Sequence, residues 1–398
     1  MRPTRTLFTA AALLLLTAAA AAGALLYGQS PPQGWTPLDD TGGCPLFPPE
    51  AVFNQPVDDL ARFPVHPDSA RWIGSIGGAT AFRPDWGREE DPARRQAYYG
   101  IPYNVISRSD LEQPWPVVDY EITDARDRTP GVPGESDCAV PSAAGGMRIR
   151  RDCSAVPLLE RRFPFPPPHR IQAEGGDCQD PTQCGDRHIL VVESGSCQLW
   201  ESYMAYRVDG RWMAYSTAAW DLRSLEMRPQ GFTSGDAAGL PILPLLARAH
   251  EASSGEIGHA LRVTFRDAVL DRRAEWPATH AAGSTRSNGI PFGALLRLRA
   301  DFVPPLWWTP QARALARAMQ RHGLYVADIG QDFFVQGEPS AHWSPLTMTQ
   351  LRGLRLHQFD FVDLHRLTHT PGFSENSYRA VFPAGSSPAP GQPIRPVP

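Results

Sequence analysis

RHILVVE (187–193), SGS (194–196) and CQLWESYMAY (197–206) decide the fold. Two short apolar runs around a Ser-Gly-Ser break read as a β-hairpin. More short apolar runs follow: RWMAYSTAAWDL (211–222) after a turn at Asp209-Gly210, then IGHALRVTF (257–265) and ALLRLRADF (294–302). LYVADI (324–329) and DFFVQG (332–337) flank Gly330, a second hairpin signal. A parallel α/β architecture needs a helix between successive strands. One segment meets the requirement well, TPQARALARAMQRHG (309–323). Thr309 sits at the N-cap and Pro310 at N1, Ala312, Leu315, Ala316 and Met319 share a face, and Gly323 ends it. AAGLPILPLLARAHEA (237–252) has room for a short second helix. The 41 Pro and 34 Gly cut the rest into short pieces. The expected fold is mainly β, a single β-sandwich domain of jelly-roll type with one or two attached helices.

Composition narrows the function. The 398 residues are 42% hydrophobic and 20% charged, with a formal net charge of −4, enough apolar residue for a real core. So balanced a charge argues against non-specific nucleic-acid binding. No lysine occurs, so every basic residue is Arg. Schiff-base chemistry and the P-loop are thereby excluded. G-x-S-x-G, H-E-x-x-H, EF-hand and strand–helix G-x-G-x-x-G signatures are missing as well. Glycan hydrolases and lyases, which need no short local motif, stay open.

Arg2 and Arg5 precede a small-and-apolar run from Leu7 to Leu26, which reads as a secretory signal or an uncleaved N-terminal anchor. Either puts the remainder outside the cytoplasm. The expected organisation is a signal or anchor over 1–28, a linker over 29–43, one β-rich domain over 44–370 and a disordered Pro/Gly/Ser tail over 371–398. Residues 124–184 form a loop-rich excursion within the domain. Cys44, Cys138, Cys153, Cys178, Cys184 and Cys197 are even in number, as disulfides require, and contain no C-x-x-C pair. Proximity favours Cys178–Cys184 and Cys138–Cys153, leaving Cys44–Cys197, although other pairings stay open.

Alternate residues of a strand share a face. Glu201 therefore lines up with Leu199 and Tyr203. A carboxylate there is bonded, paired or lining a wet concavity, because burying it alone is costly; an open solvent face is the plain alternative. His259 lines up with Ile257, Leu261, Val263 and Phe265, where a satisfied core histidine is the plain alternative. GFTSGDAAGLPI (231–242) sets Asp236 between glycines, SGEIGHA (254–260) puts Glu256 ahead of His259, and WPATHAAGSTRSNG (276–289) carries His280. Such acids and imidazoles suit a general acid/base site or a divalent metal. They also suit turns and caps. No organic cofactor is implied. Trp72, Trp86, Trp115, Trp307 and Trp308 lie in or near polar segments, where indoles can stack on sugars or fill a core.

CPLFPPEAVFNQPVDDL (44–60), YGIPYNV (99–105), DRHILVV (186–192), TSGDAAGLPILP (233–244) and GEIGHALRVTF (255–265) together resemble a group of exported bacterial proteins to which no reaction is assigned. The resemblance implies one continuous domain over most of 44–335. It departs at the cysteine-bearing excursion, where the group has a short Pro-rich link. The leading expectation is an exported carbohydrate-active enzyme, a hydrolase or lyase acting on a polysaccharide or cell-envelope glycan. Glu201 and Glu256 would supply acid/base or nucleophilic chemistry, supported by Asp236, His259 and His280. The rival is a non-catalytic glycan-binding or envelope-structural module. Thiol titration of the denatured, unreduced protein should find no free thiol; two or more would break the disulfide framework.

Overall fold

The computed structural model describes residues 41–111, 114–124, 128–143 and 147–382. The leader expected over 1–28, the linker up to residue 40 and the tail from residue 383 lie outside the described residues. Two main sheets use strands Arg83–Asp85 (β1), Tyr103–Ile106 (β2), Ile189–Glu193 (β3), Gln198–Tyr203 (β4) and Ser216–Asp221 (β5). Leu261–Phe265 (β6), Leu295–Leu298 (β7), Leu324–Ile329 (β8), Phe334–Gln336 (β9) and Phe359–Val362 (β10) follow. One sheet has the order β5-β4-β3-β2 and the other β1-β9-β6-β8-β7-β10.

The Ser-Gly-Ser hairpin forms as its sequence predicts, β3 pairing antiparallel with β4 from Ile189↔Ser202 to Glu193↔Gln198. All five β3 residues are buried because both faces of this sheet are covered. On one face, Leu190, Val192, Leu199 and Trp220 share a core with Leu261, Val263 and Leu295 of the larger sheet. On the other, Ile189, Val191, Trp200 and Ala219 pack with Trp115, Phe163 and Phe165. The domain is mainly β, with two sheets sharing a core. The ladders are mixed: β2 runs parallel to β3, β6 to β8 and β1 to β9.

Several expectations need correction. LYVADI and DFFVQG form no hairpin, because β6 lies between β8 and β9. Gly330 N–H donates to Phe265 O and Phe333 N–H to Thr264 O, so the segment turns back onto β6. RWMAYSTAAWDL breaks into Arg211–Met213 and Ser216–Asp221, which belong to different sheets. The described residues hold five helices: Ser69–Ile76 (α1), Ala249–Ser254 (α2), Pro310–Arg321 (α3), Pro345–Leu351 (α4) and His365–Thr368 (α5). Only α2 and α3 were expected. Thr309 caps α3, its Oγ1 accepting from Ala312 N at 3.1 Å. None of the described helices is long and apolar enough to cross a membrane.

The expected tail starts too early. Tyr378 is fully buried, its N–H donating to Leu225 O while its own carbonyl accepts from Val52. Its ring meets Phe53 at 4.9 Å. Tyr378 thus holds residues 371–382 on the core, together with Phe373 against Trp276 and Phe382 against Phe63. The 124–184 excursion is also more ordered than its composition suggests. Asp137–Pro141 and Met147–Arg151 form an antiparallel hairpin against the outer face of the smaller sheet.

Three disulfides join Cys44–Cys197, Cys138–Cys153 and Cys178–Cys184, with Cα separations of 5.3, 5.9 and 5.9 Å. Such bonds suit an oxidising, extracytoplasmic environment. A buried ion pair adds to this staple. Asp137 Oδ2 accepts from Arg228 Nε at 2.7 Å, from Ala219 N at 2.8 Å and from Arg151. Arg228 is fully buried, so removing its carboxylate strands a charge in the core. Asp137→Ala should cost roughly 3–5 kcal/mol in denaturant unfolding. A loss below about 1 kcal/mol would show that the hairpin docks without the pair.

Candidate functional site

A charge inside an apolar strand has to find partners. Arg262 lies on β6 between Leu261 and Val263, and none of it reaches solvent. Its Nη2 stands 3.2 Å from Asp236 Oδ2 and 3.7 Å from Asp328 Oδ2. Its Nη1 donates to Gln336 Oε1. Asp328 comes from β8, parallel to β6, where a register shift after Val263 sets it opposite Thr264. Gln336 closes β9 and pairs with Asp85 at the end of β1. A polar row thus crosses four strands of a largely apolar sheet. Arg262 Nε has no hydrogen-bond partner.

The second sheet contributes from the opposite wall. Glu201 on β4 accepts Ile242 N–H and Leu243 N–H, each at 2.9 Å. Asp236 Oδ1 accepts Ala238 N–H at 3.0 Å and Leu240 N–H at 3.1 Å. The two buried carboxylates therefore hold both ends of the 236–243 loop. Gly235 packs against Ile242, whose Cδ1 a Cβ at this position would approach to 2.8 Å. Its carbonyl accepts from His188 Nε2 at 2.7 Å, while His188 Nδ1 faces Glu174 Oε2. Both ring nitrogens meet acceptors, the arrangement of an imidazolium.

Burial and mutual charge displace the titrations. Burial pushes Asp328 up to about 7, with Asp236 and Asp186 raising it further and Arg262 opposing. Burial likewise raises Glu201 to about 7, against the two backbone donors. Asp85 rises to about 6 through burial and the charge of Glu174. Asp236 is also raised, by burial, with Arg262 opposing. Burial works against a charged His188, but Glu174 and Asp186 outweigh it and hold the ring at about 9.

The structure brings only part of the expected set together. Glu201 and Asp236 converge on Arg262. Glu256 is exposed, so the Glu201/Glu256 pair does not form. The left-handed turn at Gly255 (φ 92°) ends α2 just ahead of Glu256. His259 is buried 3.0 Å from Glu251 Oε2, with Arg248 on the same carboxylate, so it is a satisfied core histidine. Burial alone would raise Glu251, but His259 and Arg248 bring it down to about 2. His280 Nδ1 donates to Ala237 O at 2.7 Å, and its Nε2 lies 3.6 Å from Glu135. No metal site forms from any group of three or more His, Cys, Asp or Glu among the described residues.

Trp72, Trp86, Trp115 and Trp308 are core residues at most 4% exposed; Trp307, at 62%, alone of the five could meet a sugar. Arg262, Asp328, Asp85, His188 and Glu174 were missed. Arg262 and Asp328 carried the same signal as Glu201, a charge in an apolar strand. A separate depression of about 290 Å³ is lined by His66, Trp72, Glu275, Trp276 and His365. Its indoles are already engaged, Trp72 stacked on His66 at 4.4 Å and Trp276 N–H bonded to Ser377 O. The chain matches no family model, and neither a curated protein nor a solved structure matches it.

The shifts fix a pH dependence. Asp85, Glu201, Asp328 and His188 are all raised. Raised groups contribute stability that is complete below their unfolded values and lost as pH climbs through the folded ones. The carboxyl contributions are lost by about pH 7, and that of His188 through about 9. Glu251 acts oppositely, its contribution lost as pH falls toward about 2. The melting temperature should therefore peak near pH 4 and fall toward pH 9, with a shallower fall between pH 5 and 7 in Glu201→Gln. A melting temperature that climbs from pH 5 to 8 would contradict this account.

Proposed function

We propose that the protein is an exported carbohydrate-active hydrolase in which Asp85 and Asp328 are the acid–base pair and Arg262 and His188 are fixed cations beside them. The observation that carries the reading is the gathering of Asp85, Arg262 and Asp328 on β1, β6 and β8 of one sheet, with His188, just ahead of β3, charge-coupled to Asp328. Asp328 keeps a quarter of its side chain in solvent (24%), and Asp85 is half-buried. Glu201 and Asp236 are spent on backbone N–H groups and act as positioning residues. The leader-like run from Leu7 to Leu26, the disulfides and the absence of any local nucleotide or serine-hydrolase motif support an exported enzyme with a glycan substrate.

Asp328, with the higher value of the two, suits the acid that protonates the departing glycosidic oxygen. Asp85, at about 6, suits the base that takes a proton from water as its oxygen bonds to the sugar carbon. Strands β1 and β8 lie three strand spacings apart, about 14 Å between backbones. The Asp328 carboxylate, 3.7 Å from Arg262, leans inward and shortens that gap. The arrangement favours a separated pair with water between over the close pair of a covalent mechanism. The rival binding-module reading needs an aromatic platform, which the burial of Trp72, Trp86, Trp115 and Trp308 does not favour.

A polysaccharide panel read by reducing-end release tests the proposal. One glycan should be cleaved with inversion, and Asp85→Asn and Asp328→Asn should each lose about 100-fold or more in kcat. Full activity in both variants would overturn the assignment, and no cleavage of any glycan would overturn the reading.

A further inference from the structure

Beside the Arg262 cluster the surface opens into a groove. A depression of about 340 Å³ is lined by Glu90, Tyr98, Tyr103, Gln172, Glu338 and prolines. A second, of about 180 Å³, shares Tyr103, Val105 and Gln172 with it and adds Arg170. Two segments serve cluster and groove alike. Glu174 bonds His188 while Gln172, two residues before, lines the groove. Gln336 bonds Arg262 while Glu338, two residues on, lines the groove. The Gly100 turn presses the Tyr98–Tyr103 segment against them; a Cβ there would sit 2.5 Å from Gly337 O.

We infer that this groove is the substrate-binding arm of the site and takes a glycan bearing protonated amino sugars. The inference rests on the hydrolase reading for its link to chemistry, but not for binding. Tyr103, half-buried, supplies aromatic surface of the kind that stacks on pyranose rings, while Tyr98 is buried and acts through its hydroxyl. Tyr98 O–H donates to Gln172 Oε1 at 2.8 Å, which leaves the amide Nε2 as a donor on a groove residue. Gln172 itself is fixed by a backbone N–H bond to Asn104 Oδ1 at 2.8 Å.

The charge of the lining selects the sugar. Glu90 and Glu338 accept backbone N–H groups of Ala341 and Ala249, each at 2.7 Å, which fixes both carboxylates in place. Glu174, two residues from Gln172, is paired with His188, so the groove's own charge rests on Glu90 and Glu338. The cations of the cluster, Arg262 and His188, are buried, at 0% and 2% exposure. Arg170, at the far end, lies 3.6 Å from Asp110. A uronate chain would meet like charge at Glu90 and Glu338, whereas an ammonium group would meet opposite charge.

Calorimetric titration of the full chain at pH 6 with glucosamine, N-acetylglucosamine and galacturonate hexamers tests this, alongside cleavage of each. The glucosamine hexamer should bind most tightly, and more weakly as salt is raised. Tyr103→Ala should weaken binding about tenfold while Tyr103→Phe retains it. Glu90→Gln with Glu338→Gln should flatten the salt dependence. Preferred binding of galacturonate, or a folded Tyr103→Ala variant that binds as well as the parent, overturns the inference. Binding of glucosamine hexamer through Tyr103 without cleavage sustains the groove and removes the hydrolase reading. Cleavage of another glycan with no dependence on Tyr103 does the reverse.

Discussion

The architecture turns on one guanidinium that water does not reach. An isolated charge in such a place is prohibitively costly, so Arg262 is tolerable only when Asp236, Asp328 and Gln336 all stand where they do. Those partners come from a loop and from the strands on either side of β6. Each is in turn held by something else. Asp236 is fixed by the turn it caps, and that turn is closed at its far end by Glu201 on the opposite sheet. A single buried cation thereby couples two sheets whose other contacts are non-directional apolar packing.

Half of the cluster is structural and half is reachable, and the distinction follows from what each side chain touches. Glu201 and Asp236 have their oxygens on main-chain donors. Asp85 and Asp328 lie at strand ends and retain contact with solvent. The same separation recurs at the Arg248–Glu251–His259 group, where the acid is engaged by both cations and serves packing. Burial and bonding, more than residue type, decide which acids remain available for chemistry.

Local grammar made the β3–β4 hairpin and α3 legible, because a Ser-Gly-Ser break and a Thr-Pro start act within a few residues. Glu201 was legible as an anomaly for a similar reason. Its partners were not, since Ile242 and Leu243 lie 41 and 42 residues away and offer only backbone N–H groups. Asp85 sits in a three-residue strand too short to show any period. The partner of His259 was not legible: Glu256 is nearer in sequence, whereas the helical turn of α2 carries Glu251 toward it. The excursion read as loop because its apolar residues follow no period; they are gathered by a sheet face that the sequence does not place beside them.

The bond from Cys44 to Cys197 spans 153 residues. A ribosome releases the chain from its N-terminus, so Cys44 emerges long before its partner and meets Cys138, Cys153, Cys178 and Cys184 first. Those four close among themselves over separations of 15 and 6 residues. Early, fast closure of the two short rings removes four wrong partners from the pool before Cys197 arrives. Where one short ring is slow, Cys44 is captured by it and only thiol exchange frees it. The order in which the bonds close is thus written into their spacing along the chain, and a disulfide isomerase is needed only for the chains in which a short ring closes late.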